Sequence, residues 1–292
     1  ASGGDGAFCH IDQTNGNIQL SSYVYNSYYV SNNGGISFSG VAGGTSSGRF
    51  INPTDYDNIN DIQYGAHNNG FYELISSVGV ANTRATRNIS AVVGARKLSA
   101  VTVDPNTPST VWMGYQTGGS PARFVKVENA NNVSPTVTDL TTGLPTGNGL
   151  YISSIDIENG NSNHILLTFS NFGVNSVWES INGGANWTSV EGNLPDMPIR
   201  WCMIHPDSSD MAFVATDLGV WSTNNLDGGS TNWTPTNNGF ANVRVDMLQF
   251  RATDNTLVAA THGRGLFTAI LPHTPQLTFD NLTSTVTEAP TT

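Results

Sequence analysis

Polar side chains recur at one place in a repeating pattern of short apolar runs. The turn between the second and third run of each unit carries a group that can donate or accept hydrogen bonds. These are Asn26, His67 with Asn68, Gln116, Asn171, Asp217, and His262 with Arg264. Asp5, in the entry loop Gly3-Gly4-Asp5-Gly6, belongs to the same set. Amides, imidazoles, a carboxylate and a guanidinium brought together would suit the hydroxyls of a carbohydrate, with Tyr23, Tyr64 and Tyr115 nearby in the chain as stacking faces. The bland reading is local: tight turns select Asn, Asp and Gly for backbone reasons whether or not a ligand exists.

Catalysis asks for more than the chain offers. A glycosidase of the acid/base type needs two carboxylates facing each other across a cleft. Asp217 and Asp5 could be cast in those roles, but other acidic residues would serve equally well. No Gly-x-Ser-x-Gly elbow is present, and Cys9 and Cys202 have no evident histidine partner. Both cysteines sit in apolar strand-like runs and read as buried free thiols. The six histidines (His10, His67, His164, His205, His262, His273) show no paired metal-ligand spacing. Calcium is the one cofactor the composition could take, with Asp55, Asp57, Asn58 and Asp61 the densest acidic segment. No twelve-residue EF-hand loop is formed there, so a solvated turn is the simpler reading. The expectation is a protein that binds and does not catalyse.

The elements that would position these residues are short strands. Each unit is a strand, a polar turn, a second apolar strand, a small-residue turn and a third strand. The clearest copies run from Ile199 to Thr223 and from Val245 to Ile270, with weaker ones opening near Gly6, Arg49, Leu98 and Tyr151. The turn after the first strand reads Asn52-Pro53, Asp104-Pro105 and His205-Pro206, where Pro fixes φ and the preceding side chain caps the turn. Val, Ile, Tyr, Phe and Thr fill the strands, and no window holds a sustained helical period. Six units at a spacing of about 45 residues predict an all-β chain, a β-propeller of about six four-stranded blades spanning residues 1–272. The final unit shows no fourth strand, so the ring closes with N-terminal sequence or belongs to one of seven or more blades. In either case the second-to-third turns gather at one mouth of the central channel.

A second signature follows the third strand. It reads Ser31-Asn32-Asn33-Gly34-Gly35-Ile36-Ser37-Phe38, Ser180-Ile181-Asn182-Gly183-Gly184-Ala185-Asn186-Trp187 and, more loosely, Asp227-Gly228-Gly229-Ser230-Thr231-Asn232-Trp233. The side chains of Ser31, Asn33, Ser180, Asn182 and Asp227 would cap the turns, Gly35, Gly184 and Gly229 supply positive φ, and Phe38, Trp187 and Trp233 bury against the neighbouring blade. The pattern resembles the Asp-box of BNR, sialidase and sortilin-like propellers, which implies an architectural turn remote from any catalytic centre. A sialidase would also need an arginine cluster and a Phe/Tyr-Arg-Ile-Pro signature, and this chain has neither. The segment Ala215 to Trp221 is similar to an Asp-bearing loop of xyloglucan-cleaving propellers, which need a second propeller to form their cleft. The run Leu257 to Phe267 resembles the last blade of large secreted Bacteroidota proteins exported by the type IX system. Residues 273–292 then read as a linker and the opening of a Calx-β- or immunoglobulin-like β-sandwich module.

Composition bounds the partners. The chain has 292 residues with 22 Asp and Glu against 11 Lys and Arg, a net charge of −11. Charged residues are 11% of it, against about a quarter in an ordinary domain. So few cations cannot neutralise a run of phosphates, which excludes nucleic acid and docking on anionic lipid. No apolar stretch is long enough to cross a membrane as a helix. The reading is a non-enzymatic module of a secreted or cell-surface multidomain protein, acting in adhesion or in binding an extracellular glycan or surface protein. The alternatives are a structural spacer in an extracellular assembly and a glycoside hydrolase domain.

Overall fold

The apolar runs form twenty-three strands in a computed structural model that describes residues 5–239 and 242–271. They make six antiparallel sheets, each a consecutive stretch of chain. Blade 1 holds β1 (Cys9–Ile11), β2 (Gln19–Ser22), β3 (Tyr28–Ser31) and β4 (Ser39–Gly40). Blade 2 holds β5 (Thr54–Asp57), β6 (Ile62–Ala66), β7 (Phe71–Ser76) and β8 (Thr83–Asn88). Blade 3 holds β9 (Lys97–Val103), β10 (Val111–Thr117), β11 (Ser120–Glu128) and β12 (Thr136–Asp139). Blade 4 holds β13 (Ile152–Ile157), β14 (Ile165–Phe169), β15 (Val177–Ser180) and β16 (Thr188–Ser189). Blade 5 holds β17 (Ile199–His205), β18 (Ser208–Thr216), β19 (Gly219–Thr223) and β20 (Thr234–Pro235). Blade 6 has three strands among the described residues, β21 (Val245–Arg251), β22 (Thr256–Thr261) and β23 (Gly265–Ile270). The expected linker and sandwich module at 273–292 lie outside the described residues.

The first strand of every blade lines one central cavity of about 300 Å³, so the sheets stand radially as a six-bladed β-propeller. Apolar side chains pack between blades. One cluster joins Tyr64, Tyr72 and Leu74 of blade 2 to Leu98, Met113 and Tyr115 of blade 3. Others join blades 1 and 2, 3 and 4, 4 and 5, and 5 and 6. Among the described residues none joins blade 6 to blade 1, where Ile11, Leu266 and Ile270 are 54%, 68% and 61% exposed. Cys9 is exposed there too, contrary to the buried thiol expected from its apolar run, whereas Cys202 is buried against Leu166 of blade 4. The physical reason is packing: among the described residues no apolar cluster covers blade 1 on the side of blade 6.

Carboxylates cap the first turn of three blades. Asp12 accepts from the Thr14 and Asn15 N–H groups, Asp57 from Ile59 and Asn60, and Asp104 from Asn106 and Thr107. In blade 5 the His205 ring accepts from the Asp207 N–H. Asn52-Pro53 departs from the expected register. It precedes β5, and the Asn52 side chain donates to the Tyr28 hydroxyl and the Ala66 carbonyl. Asp57-Asn58 occupies the turn instead.

The turns between third and fourth strands share one local geometry in blades 1 and 4. Ser31 and Ser180 donate to the Asn33 and Asn182 side chains and accept the Gly35 and Gly184 N–H groups at 2.9 Å. Gly35 and Gly184 both have φ of +84°. Phe38 is half-buried, and Trp187 reaches the preceding blade, its indole donating to the Leu140 carbonyl at 2.9 Å. Blade 5 differs: Thr223 and Asn225 take the capping positions, while Asp227 starts a short 3-10 turn over Gly228–Ser230 that includes Gly229. Three extra residues shift the register, yet Trp233 still buries against Val190 of blade 4.

Candidate functional site

Inner strands run from the face of the second-to-third turns toward the opposite face. Near that start, four of them carry a β-bulge, because register skips Ser99 in β9, Ser153 in β13, Arg200 in β17 and Asp246 in β21. A bulge re-aims the extra residue's side chain. Here it turns Arg200 and Asp246 toward the neighbouring turns. Arg200 meets Asp217 through two bonds of 3.0 and 3.3 Å. Asp246 accepts from Arg244 at 2.6 Å and lies 3.4 Å from His262 Nδ1.

A second group spans blades 2 to 4. Arg49 lies over the Tyr151 ring at 4.8 Å, donates to the Gln116 side chain at 3.0 Å and reaches the Leu98 carbonyl at 2.6 Å. Asn171 accepts the Tyr151 N–H at 2.7 Å. Burial raises the Tyr151 phenol pKa, with Arg49 and Arg200 opposing the shift, so the three side chains share one electrostatic environment. Burial correspondingly lowers Arg49, which Tyr151 opposes. A planar cation stacked on an aromatic face and held by a carbonyl is a pre-organised surface.

The turn residues expected from sequence separate accordingly. Gln116, Asn171, Asp217 and His262 join these two groups. Asp5 and Arg264 are exposed, with Asp5 ahead of β1 and Arg264 in the β22–β23 turn. His67 is half-buried near Phe71 at 6.2 Å, its pKa lowered by burial and by Arg84. Asn26 is fully buried, accepting from the Thr45 and Ser47 N–H groups and donating to Glu73, so its role is structural. Tyr64 and Tyr115 cannot stack on a ligand, since both are fully buried in the core between blades 2 and 3. Sequence reading missed Arg49, Tyr151, Arg200, Arg244 and Asp246. For Arg200 and Asp246 the available signal was a charged residue near the start of an otherwise apolar first strand.

The acidic segment does not converge on an ion. Asp55 bonds to the Val103 N–H, Asp57 caps its own turn, Asn58 accepts from Gln13 and Asp61 accepts from the Tyr56 hydroxyl. Among the described residues no group of three or more His, Cys, Asp or Glu could hold a metal, and no helix is long and apolar enough to cross a membrane.

No family model matches the chain, and no curated protein matches it. Solved structures do. A GH74 enzyme from Niastella koreensis aligns over 89% of this chain and 42% of its own, at 16% identity and a TM-score of 0.60. A GH74 xyloglucanase from Xanthomonas campestris aligns over 90% of this chain and 43% of its own, at 12% identity and 0.60. The WD40 propeller domain of Doa1 aligns over 92% and 80%, at 9% identity and 0.64. The chain thus spans less than half the length of the two GH74 enzymes. At these identities the likeness is one of fold: the β-propeller is shared by enzymes and non-enzymes alike.

Proposed function

We propose that this propeller is a non-enzymatic binding module of a secreted or cell-surface multidomain protein. Its ligand is an extracellular glycan, bound at the face of the second-to-third turns. The observation that carries the reading is the Arg49–Tyr151 stack with Gln116 and Asn171 around it, beside the Arg200–Asp217 pair. A half-buried aromatic ring bordered by amides and charged donors suits sugar hydroxyls and apolar faces, and its groups are already held in place. The two serine-capped turns favour kinship with Asp-box propellers, and the charge-poor, amide-rich composition favours an extracellular setting.

Two GH74 neighbours make a glycoside hydrolase the competing reading. Against it, Asp217 and Asp246 are each engaged by an arginine, Arg200 and Arg244, and do not stand as a free carboxylate pair across a cleft. A glycan-array screen with the chain, beside an Asp217→Ala/Arg264→Ala double variant and a Tyr151→Ala variant, tests the proposal. Saturable binding lost in both variants is expected. A folded chain that binds no glycan overturns the carbohydrate reading and leaves a protein-binding or spacer module. Release of reducing sugar from a bound glycan would overturn the non-enzymatic reading.

A further inference from the structure

One residue per blade occupies the same place on the inner strand and borders the central cavity: His10, Asp55, Thr102, Asp156, Met203 and Gln249. Several clasp the next blade. Asp55 accepts the Val103 N–H at 2.7 Å, Thr102 donates to the Ile155 carbonyl at 2.7 Å, and Asp156 accepts the Ile204 N–H at 2.6 Å. Each carboxylate retains acceptor capacity beyond that bond.

We propose that the central channel is a binding site for a small organic ammonium ion. The cavity walls hold Asp55, Asp156 and Glu158 but no Lys or Arg; Glu158 pairs with His164, whereas Asp55 and Asp156 form no ion pair among the described residues. Phe8 and Trp201 contribute a pair of rings tilted at 38° with centroids 6.2 Å apart, and Met203 and Met247 add thioethers. About 300 Å³ is the small end of organic-ligand pockets and far exceeds a bare ion. Carboxylates would take the ammonium N–H groups, while the rings and thioethers take an apolar body and add cation–π attraction. Asp12, Asp57 and Asp104, capping the turns at the end of their inner strands, add negative potential that draws cations toward that end of the channel.

Ionisation supports the geometry. Burial pushes Asp156 up to about 7, helped by Asp55 and opposed by the Ile204 N–H bond and by His164. Burial pushes Asp55 up to about 6, with Asp57 adding to it. Burial lowers His10 to about 4, so it supplies no counter-charge near neutrality. Cys9 and His205 are the other titratable groups on the wall, and Cys202 lies behind Asp156. A cation would therefore bind the ionised pair and release protons.

The test is calorimetric titration of the chain with 2-phenylethylamine at pH 8 and pH 5.5, with 2-phenylethanol and calcium chloride as controls. Expected are saturable amine binding at pH 8, about tenfold weaker binding at pH 5.5, and none by the alcohol. Asp156→Asn keeps an acceptor for the Ile204 N–H and should weaken amine binding at least about tenfold. Gln249→Glu, at an exposed position of the same ring, should tighten it, which tests the proposal even if the first variant misfolds. The proposal is overturned by absent amine binding, by equal binding of amine and alcohol, by unchanged affinity in a folded Asp156→Asn protein, or by binding of calcium alone.

Discussion

Replacing Asp156 by Asn separates the two things its carboxylate does. The bond from β17 to β13, Ile204 N–H to Asp156 at 2.6 Å, survives because an amide oxygen also accepts. The charge does not survive. Burial holds the folded carboxyl near 7, against 3.8 when it is exposed. A folded pKa raised above the unfolded value means the native state binds the proton more tightly. Its contribution is present in full below about pH 4 and is lost as the pH rises toward 7. About three units at about 1.4 kcal/mol each would be about 4 kcal/mol, and screening at a partly solvated wall reduces it to about 2. The Asp156→Asn protein should match the parent at pH 4 and exceed it by about 2 kcal/mol at pH 8. That corresponds to a rise of about 5 °C in melting midpoint for a domain of this size. Urea unfolding followed by tryptophan fluorescence at pH 4, 6 and 8 reads the difference directly. A variant less stable at pH 8, or a gap independent of pH, would refute the electrostatic argument and leave Asp156 as a clasp alone.

Two further outcomes follow from buried contacts. His164 sits between Glu158 and Glu179, with 3.0 Å to each; burial disfavours its charge, but the two carboxylates outweigh burial and raise its pKa. Its contribution should be complete below pH 6.5 and fade as the pH rises through the raised value. His164→Gln should therefore cost stability at pH 6 and about 1 kcal/mol less at pH 9 in paired melts, whereas a constant cost would exclude a charged histidine. Gly192 has φ of +52°, and a methyl added there would lie 1.8 Å from the Thr231 carbonyl oxygen. Gly192→Ala should cost upwards of about 3 kcal/mol by separating the loops of blades 4 and 5, and a loss below about 1 kcal/mol in chemical unfolding would contradict that contact.

Much of the architecture could be read along the chain because propeller blades are local. Asp104 caps a turn only two and three residues ahead, and Ser31 and Ser180 organise turns four residues long, so type and spacing suffice to recognise them. Reading failed where register moved. Asn52-Pro53 copies the dipeptide of a first turn but stands before β5, and Asp227 copies the start of the loop signature although Thr223 and Asn225 hold its place. Cys9 has the apolar flanks of Cys202 and the opposite exposure, because burial depends on whether a blade covers the strand.

The candidate site shows the same division. Gln116, Asn171, Asp217 and His262 were legible because second-to-third turns all lie on one face of a repeating fold. Their partners were not. Arg49 and Tyr151 are far apart in sequence, and Arg200 and Asp246 face the turns only because a bulge breaks the strict alternation that sequence reading assumes. By itself, then, the sequence determined strand, turn and repeat, which arise from contacts within a few residues. The tertiary structure alone decided which charges meet at the channel mouth and which carboxylates line its wall, since those depend on the packing of one blade against the next.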